Sequence, residues 1–382
     1  MIQFAYKRIL KPILFRFDAE RVHDAFIRIG EVSGSSRILR KVVHSMYGYK
    51  GRDVSRIVDG ITYRVPILLA AGFDYNGRLV SILDAVGFGG EEVGSVTARP
   101  CGGNSPPRLR RMIRSRSLIV YKGLKNEGID AVIKRIKRKR VARGFVVGIS
   151  IAKTNDEKTV SIEAGIADYH YSLRRLVEEE VGDFYTINIS CPTVGRGESF
   201  TEPGDLEKLL EVIDQVEHDR PVYLKLPISC PWAKYRRILK VADRHRVHGV
   251  VIGNLNKNYE DADFPEEAPK EYRGGLSGKP CRDISNTLIR RTRETYGDRF
   301  TIIGCGGISS PEEALEKFRA GADLLQLITG MIFEGPHLMK EIAATMASAE
   351  EERRSSTIRR APDRADSWAR SLRRRNRHQQ LC

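Results

Sequence analysis

Eight short apolar runs rich in β-forming residues recur along this chain of 382 residues, with helix-periodic stretches between them. The runs are ILLAAG (67–72), EEVGSVT (91–97), FVVGISI (145–151), FYTINIS (184–190), VYLKLP (222–227), GVVIGN (249–254), FTIIGCGG (300–307) and LLQLITG (324–330). They are continuous rather than alternating, which is how strands covered on both faces read. The stretches 167–181, 205–217, 231–246 and 311–320 carry the helical period. Parallel strands joined by helices make an α/β fold, a closed (β/α)8 TIM barrel, the expected architecture; an open doubly wound sheet is the alternative.

Composition narrows the class without naming a function. At 41% hydrophobic and 30% charged residues the chain is an ordinary globular one, which excludes a wholly disordered, collagen-like or multi-spanning membrane protein. Its cysteines, at 101, 191, 230, 281, 305 and 382, form no Cys-x-x-Cys pair, and no His cluster has metal-ligand spacing. We therefore expect a reducing compartment, no disulfide framework and no bound metal. The segment MIQFAYKRILKPILFRF is broken by Lys7, Arg8, Lys11, Pro12 and Arg16, so it reads as neither a spanning helix nor a signal peptide.

Three regions are expected. Residues 1–50 read as a helical appendage of two short helices with apolar faces (Phe4, Ile9, Ile13, Leu14, Phe17; then Val22, Phe26, Ile29), and residues 51–349 as the barrel. Residues 350–382 are expected to be a disordered, Arg-rich tail: from Glu351 onward ten Arg face four acidic residues, which places +6 of the net charge of +16 there. A second basic run, KRIKRKR (134–140), reads as the solvated face of a helix that keeps Ile129, Val132, Ile133 and Ile136 on its other side. No nucleic-acid motif or interleaved aromatics accompany these charges, so no specific nucleic-acid partner is expected. Long glycine- and proline-rich intervals after the second and sixth runs read as excursions on the side of the barrel where loops follow strands, the side that builds active sites.

Several residues at strand exits could carry chemistry. Gly304, Gly306 and Gly307 close the seventh run and Thr329-Gly330 the eighth, with Gly274 to Gly278 as a possible third arm. Glycine turns leading into helices let a backbone approach a phosphate, and in such barrels the phosphate site is commonly built after strands seven and eight. Any one of these turns could be merely a turn; their joint order points to a phosphate-bearing cofactor. Asn188, Ser190 and Cys191 end the fourth run, offering an amide for a heterocycle and a thiol able to act as base or nucleophile, a buried structural cysteine being the plainer alternative. Lys225 ends the fifth run in apolar surroundings and should face an anion or an electron-rich ring, unless it snorkels to water. Asn254 occupies the same kind of position after the sixth.

Together these motifs resemble the dihydroorotate dehydrogenase family of FMN barrels. The resemblance runs almost end to end, through FRFDAERVHD, AAGFDYNG, VGSVTARP, GNSPPRLRR, NEGID, INISCP, RGGLSGKP, IIGCGGISSPEEALEKFRAGA and ITGMIFEGP. The FDAERVHD element within a helical appendage is similar to the quinone-dependent, membrane-associated branch, which uses an N-terminal helix pair as a quinone tunnel. The resemblance implies FMN lined by Ala71, Gly72, Ser95, Ser150, Asn188, Lys225, Gly253, Gly278, Gly306, Gly307, Ile328 and Thr329. It implies dihydroorotate held by Asn188 and Asn254, with Cys191 as catalytic base removing the C5 proton while the C6 hydride passes to the flavin. Electrons would then pass to a quinone near the N-terminal helices, in the pathway to UMP. It further implies a peripheral location on the cytoplasmic side of a membrane, in contact with lipid.

Departures from the family pattern fall mostly on the substrate side. Cys191 stands where the quinone-dependent branch has serine, and Tyr75 where the family has a lysine. Val120 and Thr193 replace asparagines, Leu255 a threonine, Ser150 an asparagine and Ile328 a tyrosine. A substrate carboxylate would lose about 2 to 3 kcal/mol per missing charged hydrogen bond. Lys122 and Lys125 lie on a loop where the family has neither, so one of them is expected to restore the cation lost at Tyr75; two plain surface lysines are the alternative. Tyr75, Lys122, Lys125 and Thr193 are thus candidate substrate residues beside the asparagines. A related FMN oxidoreductase acting on another cyclic amide or ene, and a flavin-binding protein without catalysis, are the competing readings at this level.

Overall fold

The computed structural model describes residues 2–191, 200–269 and 273–360. Each of the eight runs forms one strand of a closed, all-parallel barrel. The strands are β1 (Ile67–Leu69), β2 (Gly90–Val96), β3 (Val146–Ile151), β4 (Phe184–Asn188), β5 (Val222–Lys225), β6 (Gly249–Ile252), β7 (Thr301–Cys305) and β8 (Leu324–Leu327). Each pairs with its neighbour in sequence, and β8 closes on β1 through Leu325–Ile67 and Leu327–Leu69. Nearly every strand residue is buried, because the barrel fills one face and the helices cover the other.

The barrel interior is a packed core at its lower end. Leu68, Val146, Phe184, Tyr223, Val251, Ile303 and Leu324, from seven of the strands, form one apolar layer with Tyr63. Room for the Phe184 ring comes from Gly148 across the β3–β4 pair, where a Cβ would lie 2.0 Å from the ring. An antiparallel hairpin, Arg56–Val58 with Ile61–Tyr63, packs beneath this layer, and Asp59 at its turn accepts a hydrogen bond from the Tyr223 hydroxyl at 2.7 Å.

Outside the barrel run α3 (Ile129–Arg138), α4 (Ile162–Glu178), α5 (Pro203–Asp214), α6 (Trp232–Ala242), α7 (Arg282–Tyr296), α8 (Pro311–Arg319) and α9 (Leu338–Arg360). In α3 the expected Ile129, Val132, Ile133 and Ile136 are buried, and the helix ends at Arg138 so that its basic residues stay at the surface. Ser161 caps α4 and Ser310 caps α8 through their side-chain oxygens, each such bond contributing about 1 kcal/mol.

Three expectations need correction. The N-terminal region holds more than two helices: short helical turns over residues 2–14 precede α1 (Ala19–Ser35) and α2 (Arg37–Tyr47). The two long excursions are not loops throughout. Leu109–Met112, Ser117–Val120 and Gly275–Gly278 form a three-stranded antiparallel sheet above the barrel, so the glycine segment expected as a loop arm is largely a strand. Finally, α9 continues to Arg360, through the first part of the stretch expected as tail, because Ala, Glu, Met and Arg favour helix. The rest of the tail, 361–382, lies outside the described residues, as does Thr193.

Candidate functional site

At the end of the barrel where strands exit into loops lies a cavity of about 460 Å³. Its floor is polar. Ser95 from β2, Asn188 from β4, Lys225 from β5, Asn254 after β6, and Ile328-Thr329 after β8 all line it, with Ala71 and Gly72 after β1. These side chains are tied together: Asn188 Nδ2 donates to Ser95 Oγ at 2.8 Å, and Ser95 Oγ lies 2.7 Å from Ser150 Oγ of β3. Asn254 Nδ2 donates to Ser190 Oγ at 3.0 Å and to the Ser190 carbonyl at 3.1 Å, while Ser190 Oγ donates to the Lys225 carbonyl at 2.9 Å. Tyr169 of α4 fixes the end of β4 by donating to the Asn188 carbonyl at 2.7 Å. Such a network costs little conformational freedom on binding, since its rotamers are already set.

Lys225 is 5% exposed, and its ammonium has no carboxylate within ion-pair distance among the described residues. A buried cation without a counter-charge calls for an anion or electron-rich group from a ligand. Gly72 leaves the floor flat: a Cβ there would touch only Ile328 Cδ1, at 3.7 Å. On the far side Ser277 Oγ lies 2.8 Å from Thr329 Oγ1, joining the small sheet to the exit of β8. Gly278 backs this contact, with Thr329 Cγ2 at 2.7 Å from where its Cβ would be. Gly306 and Gly307, both with positive φ, form the turn after β7 against Cys281 and Arg282, and Gly253 packs on Ile228. These four glycines shape the rim without themselves walling the cavity.

The side wall carries Cys191, Tyr75, Lys122, Leu124, Val120 and Leu255. Cys191 is an unbridged, half-buried thiol packed near Cys101, Leu124 and Ala152. Burial pushes the Tyr75 phenol far up, so it is neutral at physiological pH and cannot act as the missing cation. Lys122 can. It is 4% exposed, and its Nζ sits 5.8 Å from the Tyr75 ring centroid and 3.0 Å from Glu20 Oε1. Burial lowers its proton affinity and Glu20 opposes that. Lys125 is different: it is 40% exposed, meets Glu20 only at 3.5 Å and does not line the cavity, which corrects its place among the substrate candidates. Its side chain follows the loop outward to water.

Above the wall the cavity turns apolar and continues between α1, α2 and the barrel. Val22, Phe26 and Ile29 of α1, Val43 and Tyr47 of α2, and Leu10 and Leu14 before them face Phe73, Leu83 and Met331 across it. Gly30 of α1 permits this close approach, since a Cβ there would lie 2.5 Å from Leu79 Cδ2. Sequence reasoning quoted Glu20 and His23 within FDAERVHD but gave them no role. Glu20 also meets Arg108 at 2.8 Å. Its partial burial would raise its pKa, but Lys122 and Arg108 outweigh that and hold the carboxyl at about 2. His23 hydrogen-bonds the Phe73 carbonyl at 2.8 Å and Asp24 at 3.0 Å; burial, then the charge of Lys122, keep it neutral. The signal was available: three ionisable residues, Glu20, His23 and Asp24, cluster next to apolar Val22, Phe26 and Ile27.

Comparison with known proteins places this arrangement. A family profile described as Dihydroorotate dehydrogenase matches residues 54–349. A protein named Dihydroorotate dehydrogenase (quinone) from Thermosynechococcus vestitus is 33% identical over 361 residues, covering 91% of this chain and 98% of its own. Another of that name, from Paraburkholderia xenovorans, is 35% identical over 345 residues, covering 87% and 96%. Among solved structures, DHODH from Eimeria tenella in complex with ferulenol superposes with a TM-score of 0.76 at 24% identity, covering 88% of this chain and 92% of that one. That likeness carries the fold.

Proposed function

Because the chain belongs to the dihydroorotate dehydrogenase family, in its quinone-dependent branch, and so oxidises dihydroorotate to orotate in pyrimidine biosynthesis, we propose how its cavity divides that work. The family's flavin is FMN here, seated on the polar floor, and the quinone enters through the apolar end. The observation that carries this reading is continuity: one cavity runs from Asn188 and Lys225 to Phe26 and Tyr47. A polar pocket and an apolar channel that share a wall suit two substrates that exchange electrons without meeting water.

The floor fits the cofactor. Lys225 would face the electron-rich edge of the ring, Ser95 and Asn188 its amide edge, and Ala71-Gly72 its flat face. Thr329 and the backbone at Gly278, Gly306 and Gly307 would hold the phosphate, with Ser150, Gly253 and Ile328 behind. When bound, FMN supplies the hydride acceptor. The chain's own residues do the rest. Asn188 and Asn254 present amides to the pyrimidine, Cys191 Sγ receives the C5 proton, and Lys122 Nζ takes the carboxylate in place of the lysine replaced by Tyr75. Thr193 belongs to the substrate side by resemblance alone. The exposed apolar residues of α1 and α2, among them Ile29, Val32 and Ile38, support a reading in which these helices lie on a membrane surface, where a lipid-soluble quinone is found. Among the described residues no helix is long and apolar enough to cross a membrane.

Anaerobic stopped-flow tests the whole reading. Mixing with dihydroorotate should bleach the flavin absorbance, mixing next with a short-chain quinone should restore it, and mass spectrometry of the released flavin should give FMN. A flavin that dihydroorotate leaves oxidised, or one other than FMN, would overturn the assignment.

A further inference from the structure

A second hollow, of about 260 Å³, opens beside α2 and shares no lining residue with the catalytic cavity. Arg37, Arg40, Lys41 and His44 of α2 line it with Lys50, against one carboxylate, Asp84. Asp84 is itself 3.7 Å from Arg64. Other cations of this chain hold a carboxylate, among them Arg78, Arg135, Arg175, Arg293 and nearby Arg52. Among the described residues, Arg37, Arg40, Lys41 and Lys50 have no such partner. Arg40 donates to the Gly34 carbonyl at 2.6 Å, which fixes the guanidinium without neutralising it. Four unneutralised cations converging on one concavity raise its affinity for an anion well above that of a scattered surface charge.

The position of the hollow identifies the anion. Ile38, Val42 and Met46 recur at four-residue spacing, so they form one column along α2, and they are 74%, 49% and 38% exposed. Arg37, Lys41 and Ser45 form the adjacent column. Cations beside an exposed apolar column match the layering of a membrane, with acyl chains meeting Ile38 and Val42 at the depth where phosphates meet Arg37 and Lys41. A soluble phosphate compound would leave the apolar column in water.

We propose that this hollow binds the phosphate headgroup of an anionic phospholipid and so fixes the orientation of the quinone entrance on the bilayer. The inference rests on the membrane-surface reading given under Proposed function. It is tested by co-sedimentation of the full-length protein with vesicles of phosphatidylcholine alone and of phosphatidylcholine with phosphatidylglycerol. Replacing Arg37, Arg40, Lys41 and Lys50 by Gln should weaken binding to the anionic vesicles about fivefold for each cation removed, while binding to neutral vesicles stays as it was. Replacing Lys134 and Arg138 of α3 and Arg140 just after it by Gln should change neither. The single Lys41→Glu variant should move binding in the same direction, and unchanged reduction of a water-soluble quinone reports that either variant is folded. Equal losses from the α2 and α3 sets would overturn the site in favour of diffuse charge. Displacement from anionic vesicles by millimolar inorganic phosphate, at constant ionic strength, would overturn it in favour of a free phosphate. If wild type binds neither vesicle, the membrane-surface reading itself fails; if it binds both equally, only the headgroup site does.

Discussion

Lys122 stands between two demands. Its ammonium is buried beside Tyr75, where an isolated charge would be costly, and Glu20 holds it at 3.0 Å. Because Glu20 is shared with Arg108 and Lys125, its negative charge is not spent on Lys122 alone, and of these cations Lys122 lines the cavity. Lys122→Met should therefore raise the dissociation constant of orotate by about 30-fold, the equivalent of one charged hydrogen bond of about 2 kcal/mol, whereas Lys125→Met should change it less than about twofold. Titration of the flavin spectrum with orotate reads both, and equal effects would remove Lys122 from the substrate site. Glu91 of β2 poses the opposite case. It is fully buried, neither carboxylate oxygen has a hydrogen-bond partner among the described residues, and burial, aided by the nearby Asp74 charge, raises its pKa well above the carboxylate range. A carboxyl whose folded pKa is raised is protonated more readily in the folded than in the unfolded chain. Its contribution to stability thus falls as pH rises from about 4.5 toward the folded value. Glu91→Met should stabilise the protein by about 1 to 3 kcal/mol at pH 8 and by less at pH 5. Denaturant midpoints at the two pH values check this, and a gain independent of pH would assign the effect to packing alone.

The helices α1 and α2 contribute little to the barrel core but much of the apolar channel. Among their residues only Ala19, Ile27 and Gly34 are buried, and α2 buries none. They are held by a few polar ties, chiefly Glu20 to Lys122 and Arg108, and Glu31 to Lys139 at 2.7 Å. The Glu20 tie stabilises the docked helix above the ordinary carboxylate pKa and is lost only as pH falls toward about 2. Deleting residues 1–45 should abolish quinone reduction while the dihydroorotate half-reaction proceeds. Val22→Trp, which fills the channel without removing the helices, should raise the apparent KM for quinone at least tenfold with flavin bleaching unchanged; a loss in both half-reactions would show that α1 is needed for the floor as well. These elements were only partly legible. The eight barrel strands could be read because continuous Val, Ile and Leu runs ending in glycine fit few other structures. The hairpin before β1 was missed although Asp59-Gly60 between Ile57 and Ile61 is a turn signal. The small antiparallel sheet was missed because LRRM carries charges in a strand only half covered. In α2, four basic residues hid the Ile38, Val42, Met46 column from a reading that looked for buried faces.

In the whole molecule, stability and function are divided along the cavity. The closed barrel has no strand edge, and each strand is hydrogen-bonded on both sides and covered by helices, so its amides open only with the entire fold. The polar floor of the cavity is built from the exits of those strands, which is why the positions of Asn188, Lys225 and Asn254 follow from sequence order alone. The position of the Lys122 side chain does not, because it depends on a helix more than a hundred residues away. The apolar end of the cavity belongs to α1 and α2, which have exposed apolar columns and few buried residues. Amide hydrogen exchange should show this division directly. In buffer, α2 amides should exchange at least about a hundredfold faster than those of β4, β5 and β6, a gap of about 3 kcal/mol in opening free energy. Adding anionic vesicles should slow exchange in α2 and α1 and leave the barrel strands as they were. Vesicles that slow the barrel and helices together would mean that the two regions form one cooperative unit. Vesicles without effect on α2 would mean that its apolar column is covered by something other than lipid.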